Sequence, residues 1–396
     1  MKLTEEIRAY IQLHREEDVR SLALKRGSFP PEHHQFAIQQ ISGWQTAKEK
    51  VPSWAATEEV LYPVHLSLEQ CSSELTAQFK ASLMVQGESF ADLTGGMGVD
   101  FSFLSRQFKK SLYVEQNPEL CELAEHNFKE LQLSGFQVLN TTFEQFLPQM
   151  SPVDVVYLDP ARRDSAGRKV VSISDCSPNL CDWKNQLLAK SHDVWVKYSP
   201  MLDISLAVSE LEDVSELFVI SVQNECKELL FHLTRERSDD LQIICVDLKK
   251  SGERSFFKFA KSEEPNSPLH LAETVGRYLY EPNSSLMKAG AFKILTEKFP
   301  LKKLAVSSHL YTSDEKVEDF PGRCFEVEAD FSLSKNEVKE HLSDCVKANM
   351  SVRNFPMSVE QLRKKLKIAD GGDVYLFATT IGEKKKIVKC KKIEEK

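Results

Sequence analysis

The chain has 396 residues, 41% hydrophobic and 28% charged, with a net charge of −8, the composition of a globular protein of two or three domains. No apolar run approaches the ~20 residues of a membrane span, and Met1–Arg8 carries charges where a signal peptide is apolar, so neither a membrane nor a secreted protein is expected. Nine scattered cysteines with no CxxC pair give neither a disulfide framework nor a zinc knuckle; reduced thiols, a cytoplasmic location and no bound metal are the expectation.

Residues 1–60 read as a helical region. Ile7, Tyr10 and Ile11 share one face, as do Ile38, Ile41 and Trp44, with breaks at Ser28-Phe29-Pro30-Pro31 and at Pro52. Residues 61–240 alternate strand and helix. Phe90–Leu93 enters a glycine-rich turn, Phe101–Arg106 is helical, and Ser111–Glu115 is a strand. Asn117-Pro118 caps and opens a helix whose buried stripe is Leu120, Leu123, Ala124, Phe128 and Leu131. Phe136–Asn140, Val153–Leu158, Asp193–Lys197 and Leu217–Val222 follow as strands. This succession predicts an α/β fold with a doubly wound, Rossmann-like parallel sheet.

Residues 241–322 form a smaller mixed region, with strands at Ile243–Leu248, Phe256–Phe259 and Lys303–Val306 and a helix over Asn283–Phe292. Residues 323–396 form a compact α/β unit. Phe325–Phe331 is a strand there, Glu337–Cys345 and Val359–Leu366 are helices, and Asp373–Thr380 with Lys386–Lys391 is a closing hairpin. From Cys345 onward, 13 Lys and Arg face 6 Asp and Glu, a local +7 on an acidic body. That imbalance suits either a polyanionic partner or a lysine-rich solvated surface.

The chemistry-bearing turn is Asp92-Leu93-Thr94-Gly95-Gly96-Met97-Gly98-Val99-Asp100. Glycines there let the backbone approach a ligand, and free amides can hold its anionic end. Glu115, at the end of the next strand, stands where a nucleotide fold places a ribose-binding carboxylate; the alternative is an acid serving the Pro118 helix. A nicotinamide fingerprint needs a third glycine, and Phe101 occupies that place, so the turn suits S-adenosylmethionine (SAM) better.

The second turn ends an apolar strand: Val155-Val156-Tyr157-Leu158-Asp159-Pro160-Ala161-Arg162-Arg163-Asp164. Ligands of open α/β sheets sit at the carboxyl ends of strands, so Asp159 faces the crevice of Gly95–Gly98. Methyl transfer depends chiefly on an aligned nucleophile. Asp159, Pro160 and Arg162 are therefore the candidate catalytic residues, with Arg163 as a phosphate contact. Alternatively the arginines pair with Asp164 or Asp175.

These motifs resemble those of class I SAM-dependent methyltransferases. More closely, they are similar to bacterial methyltransferases that have a trimethylguanosine-synthase-like core and a THUMP-like C-terminal domain. The matching segments are Glu69–Ala77, Asp92–Asp100, Asp159–Asp164, Lys197–Met201, Asn224–Glu228, Lys288–Phe292, Ser308–Tyr311 and Asn354–Pro356. The resemblance implies a ferredoxin-like domain over 241–322 and a THUMP-like domain over 323–396. It places SAM on Asp92, Thr94, Gly95, Gly96, Met97 and Gly98, with Glu115 on the ribose. Ser73 and Thr76 help close the pocket, or cap a helix. Phe143 and Glu144 stand near adenine, though Phe143 is equally a core aromatic. Ala161 and Arg162 depart from amino-group methyltransferases, which carry a second proline and an aromatic there. Uracil-C5 enzymes use a cysteine; Cys176, Cys181 and Cys226 are available, and nothing in their spacing selects one. A THUMP-like unit implies RNA, with Arg353, Arg363, Lys364, Lys365 and Lys367 on phosphates.

The reading that follows is a SAM-dependent methyltransferase acting on structured RNA such as tRNA or rRNA. The alternatives are a methyltransferase for a protein or small molecule, and a non-catalytic RNA-binding module.

Overall fold

Alternating apolar segments and capped helices from residue 87 onward build a parallel sheet. The computed structural model describes residues 3–25, 30–63, 65–162, 172–236 and 239–393. The chain divides into two units, Met1–Leu217 with Glu228–Asp239, and Phe218–Lys227 with Asp240–Lys396.

In the first unit the strands are β1 (Gly87–Asp92), β2 (Phe108–Glu115), β3 (Phe136–Asn140), β4 (Val155–Leu158) and β5 (Asp193–Tyr198). Next come β6 (Val214–Val222) and β7 (Glu225–Thr234), through which the unit boundary runs. The order is β7-β5-β4-β1-β2-β3. β1 through β5 pair in parallel, and β7 pairs antiparallel with β5, from Asp193 opposite Thr234 to Tyr198 opposite Leu229. Every residue of β4 is buried, as a central strand covered on both faces requires. β1 and β4 therefore end side by side, and the turns that follow them, at 93–98 and 159–162, share one edge of the sheet.

The helix after β2, Pro118–Glu130, begins as the sequence predicts, with Asn117 Oδ1 accepting from the Glu119 and Leu120 N–H groups. β7 is a strand of this unit that sequence reading did not find. Its charged start, Glu225-Cys226-Lys227-Glu228, hides the apolar run Leu229–Leu233, which pairs with β5.

The N-terminal residues are helical at Glu5–His14, Val19–Leu24 and Pro31–Lys50. They join the unit's core through Trp54, whose indole N–H donates to Ser102 Oγ at 3.2 Å. Two side-chain amides hold the connecting segment. Gln40 exchanges both hydrogen bonds with the Tyr62 backbone (3.0 and 2.8 Å). The fully buried Asn127 does the same for Leu61 (2.8 Å each).

In the second unit, β8 (Gln242–Leu248) pairs antiparallel with β9 (Arg254–Ala260). A seven-stranded sheet then contains β10 (Tyr278–Pro282), β11 (Lys302–Lys303), β12 (Tyr311–Ser313), β13 (Gly322–Phe331), β14 (Asn349–Arg353), β15 (Val374–Ile381) and β16 (Lys384–Lys392). Its order is β11-β12-β10-β13-β16-β15-β14. The expected closing hairpin is β15–β16, with Ile381 opposite Lys384. Two boundaries differ from expectation. The helix read as Asn283–Phe292 is Ser284–Ala289, ended by Gly290 at φ +76°. The strand read as Lys303–Val306 keeps only Lys302–Lys303, after which the chain turns and Leu304 N–H donates to Leu310 O. No helix among the described residues is long and apolar enough to cross a membrane, and none of their acidic, histidine and cysteine side chains group to hold a metal ion.

Replacing the buried Asn127 by Ala removes both of its hydrogen bonds to the backbone of half-buried Leu61. An unsatisfied buried group costs about 1–3 kcal/mol, so Asn127→Ala should lower the urea midpoint by the equivalent of roughly 2 kcal/mol with little change in m-value. An unchanged midpoint would show that the clamp is incidental.

Candidate functional site

The glycine turn is shaped by what lies behind it. A Cβ on Gly95 would stand 2.2 Å from the Tyr113 ring, so no larger residue fits there. Gly98 has φ +83°, and its Cβ would meet Phe128 at 2.7 Å; it starts the short helix Val99–Leu104. The Tyr113 hydroxyl donates to Gly96 O. Gly96 N–H donates to Glu115 Oε2 at 2.9 Å, and Glu115 Oε1 accepts from Asn117 N–H at 2.8 Å. Glu115 thus spans from the end of β2 to the turn. Phe101, at the place of a third glycine, is fully buried and stacked on Phe128 at 4.7 Å, which rules out the close backbone approach of a nicotinamide fingerprint.

Asp92 ends β1 and is 1% exposed. Burial pushes its carboxyl well above the ordinary range; the Thr94 N–H, 3.1 Å from Oδ1, opposes this, while Asp100, Asp159 and Glu115 add to it. Among the described residues no cation pairs with Asp92. A desolvated acid lacking a cation fits a ligand that brings its own positive charge, and SAM carries an ammonium and a sulfonium.

The acceptor-side turn is bound to the cofactor turn. Asp159 N–H donates to Thr94 Oγ1 at 2.6 Å, so the loops after β4 and β1 move as one. Pro160 is buried, and Ala161–Arg162 pairs antiparallel with Cys176–Ser177. The Arg162 side chain, Arg163 and Asp164 lie outside the described residues.

Behind Asp159 is a charge cluster that sequence reading missed. Lys197 Nζ, on β5, is 2.5 Å from Asp159 Oδ2 and 3.6 Å from Asp100 Oδ2. Lys80 Nζ, fully buried, is 2.9 Å from both Asp100 Oδ1 and Glu228 Oε1. Ser72 Oγ donates to Asp100 at 2.7 Å and accepts from Lys80 at 2.8 Å, and the Tyr157 hydroxyl also donates to Asp100 at 2.7 Å. Burial alone would raise the Asp100 carboxyl, but Lys80 and Lys197 hold it well below the usual range. Burial alone would likewise lower the Lys197 ammonium, but Asp159, Asp100 and Glu228 hold it far above its ordinary value. One side-chain oxygen of Asp159 is therefore committed to a lysine. The sequence sign was a charge inside an apolar element: Lys80 between Phe79 and Ala81, Lys197 in Val194–Tyr198, Glu228 before Leu229-Leu230-Phe231.

Other predicted residues are placed less directly. Thr76 is 1% exposed, with its N–H capped by Ser73 Oγ at 3.3 Å and its hydroxyl donating to Ser73 O; these groups serve the start of helix Glu74–Leu83. Met97 is buried in the core cluster with Trp54 and Leu68. Phe143 is buried edge-on against Trp183 at 5.4 Å, and Glu144 is exposed. Burial, with Glu210 and Asp182 nearby, raises the Cys181 thiol, the opposite of what a nucleophile needs.

Three family models match the chain: conserved hypothetical protein 95 over residues 75–216, a ferredoxin-like domain over 278–321 and a THUMP domain-like model over 322–392. A protein from Porphyromonas gingivalis W83, described as a "putative methyltransferase", is 32% identical, with a TM-score of 0.88 and 100% of both chains covered. This chain belongs to the same family, the class I SAM-dependent methyltransferases with ferredoxin-like and THUMP-like domains. An rRNA methylase from Streptococcus thermophilus is 16% identical over 44% of this chain and 96% of that chain, with a TM-score of 0.30. TrmK of M. capricolum, solved with S-adenosyl-homocysteine, is 11% identical over 42% and 70%, with a TM-score of 0.32. These two likenesses are too distant to bear on the chemistry. No curated protein matches the chain. SAM is the cofactor of this methyltransferase.

Lys80→Met leaves Asp100 and Glu228 buried without their common cation, a change that costs about 3–5 kcal/mol in comparable pairs; chemical denaturation measures it, and a loss below about 1 kcal/mol would mean water reaches the cluster. Asp92 acts in the opposite sense. Its folded-state pKa is raised, so its contribution is fully present below the unfolded value of about 3.9 and is lost as pH rises through the folded value. Asp92→Asn removes that dependence. The free variant should gain stability over the natural protein as pH rises from about 4 to 8, while SAM binding by calorimetry weakens by about tenfold or more. A pH-independent stability difference would remove Asp92 as a desolvated acid.

Proposed function

We propose that this methyltransferase modifies structured RNA, with Asp92, Thr94, Gly95, Gly96, Gly98 and Glu115 forming the SAM site and Asp159 orienting the acceptor. The observation that supports RNA is the THUMP-like match over residues 322–392, within which Lys364, Lys365 and Lys367 are exposed. Arg363 is ion-paired with Asp370, and Arg353 with the buried Glu281. The lysines therefore make the freer phosphate contacts.

For the chemistry, the methyl carbon must meet a nucleophile's lone pair in line. Asp159 accepts a hydrogen bond from the acceptor's N–H or O–H, which turns that lone pair toward the turn at Gly95–Gly98. The ion pair with Lys197 fixes the direction of the Asp159 side chain, so the residue arrives already aligned. The proton released goes to Asp159 or to water. The Asp159–Thr94 bond holds this carboxylate in register with the cofactor turn.

Methyl-labelled SAM is incubated with the protein and an extract from cells lacking it, then split between nuclease and protease. Loss of label to nuclease is expected. Loss to protease would make the acceptor a protein, and label surviving both would make it a small molecule. Asp159→Ala should lower kcat by about 10²–10⁴-fold while SAM affinity holds within about threefold, since SAM is held by the other loop; equal loss of both would place Asp159 in the cofactor site. Lys364→Glu with Lys365→Glu should weaken RNA binding and flatten its dependence on log salt by about 0.7 per contact removed.

A further inference from the structure

Three segments that the methyl-transfer site does not use meet in the second unit. The Tyr311 hydroxyl donates to Phe292 O at 2.7 Å, and the Phe292 and His309 ring centroids are 3.8 Å apart. Ser308 Oγ donates to Thr380 O at 2.7 Å, and the Thr380 hydroxyl donates to Asn354 O. Lys288–Phe292, Ser308–Tyr311 and Asn354–Pro356 are thereby gathered at one corner, at the ends of β14 and β15.

Positive charge collects there, and the acids near it are engaged elsewhere: Glu264 accepts from the Phe292, Lys293 and Ile294 N–H groups, and Glu281 is shared by two arginines. Lys303 is 2% exposed. Its ammonium donates to Val306 O at 2.7 Å and lies 5.0 Å from the Phe292 ring centroid. Among the described residues no carboxylate is within ion-pair distance of it. A buried lysine without a paired acid is rare, because desolvating a charge is costly unless another charge offsets it. Burial brings its pKa down to about 8, which still leaves mostly cation at neutral pH. His309 has φ +51°, in the left-handed region that non-glycine residues seldom enter, and its Nδ1 is buried without a partner. Burial, with Lys303 and Arg353 nearby, holds its imidazole down to about 4.

Arg353, at the end of β14, spends one side of its guanidinium on Glu281, which already pairs with Arg323. Its Nε is buried without a partner. Thr379 is register-paired with Arg353, and its buried hydroxyl also has none. Neutral water could satisfy hydrogen bonds at this corner, but it would leave the lysine charge uncompensated. A ligand with several acceptor oxygens and negative charge meets both deficits.

We propose that Lys303, His309 and Arg353 form a binding site for a phosphate group. Two sources share that chemistry, an RNA phosphate and a free phosphate ion or ester. The first rests on the RNA reading above; the site itself does not. With RNA as the source, the site is an anchor that holds one phosphate while lysines of the same unit contact others.

The test is calorimetric titration of the full chain with inorganic phosphate in chloride buffer of constant ionic strength. Saturable binding is expected, weakened about tenfold or more in Lys303→Met. That variant removes a buried charge and leaves an apolar chain of similar length, so its melting temperature should match or exceed that of the natural protein. His309 gives a second readout: phosphate should raise its imidazole pKa by NMR, and should not in Lys303→Met. No saturable binding, or equal binding by Lys303→Met, overturns the proposal. The RNA arm compares one oligonucleotide with a 5′-phosphate and with a 5′-hydroxyl as competitors. Displacement only by the phosphorylated form assigns a terminal phosphate, and equal displacement assigns an internal one. Phosphate binding that neither RNA displaces keeps the site for a free phosphate and counts against the RNA reading alone.

Discussion

Lys80 stands between Asp100 and Glu228 with its ammonium fully buried, and the methyl-transfer site depends on that arrangement. A cation so placed is tolerable only with acids on both sides and hydrogen bonds to complete its shell, and Ser72 supplies one such bond. Each partner comes from a different part of the first unit: the helix after Ser73, the first turn after the glycine loop, and the strand beside β5. The cluster therefore holds three elements in mutual register. It extends through Lys197 to Asp159, the residue proposed to orient the acceptor.

The buried charges also divide the labour among the acids. Asp100 and Asp92 lie at the two ends of the same glycine turn, and their environments drive them in opposite directions. Asp100 has two lysines and stays ionised. Asp92 has none and bears the desolvation alone, a cost that a cationic ligand can offset. With Asp92 in the proposed SAM site, part of the binding energy is stored as an instability of the free protein, in keeping with the trade between stability and function at active sites. The Thr94 hydroxyl, accepting from Asp159 N–H, carries the geometry of the cofactor turn to the acceptor turn without a charged contact.

The second unit reuses the same physics with the opposite sign. In the first unit acids collect around an opening for a cation. In the second, Lys303, His309 and Arg353 collect around a place for an anion, and the acid at hand, Glu281, is already shared by two arginines. The basic residues of the second unit thus include both exposed lysines and the corner at Lys303, a division that net charge does not reveal.

Local chemistry made much of this legible from sequence. The glycine turn, the cap at Asn117-Pro118, the apolar β4 and the β15–β16 hairpin depend on neighbours in the chain, and those signals were sufficient. The placement of Asp92, Glu115 and Asp159 at strand ends followed from the rule that parallel strands present their carboxyl ends to one edge. β7 was not legible, because its first residues are charged. Nor were Lys80, Lys197 and Glu228 recognisable as one group: each reads alone as a charge in an apolar element, and the choice between a surface position and a buried pair is made by what the fold brings opposite. Thr76 and Phe143 could be read either way from sequence, and the fold uses both within helix capping and core packing. By itself the sequence determined the class of fold and the turns that follow β1 and β4, since these rest on steric and hydrogen-bonding preferences of adjacent residues. Only the tertiary structure decided which charges are compensated, because compensation depends on distance in space between residues far apart in the chain.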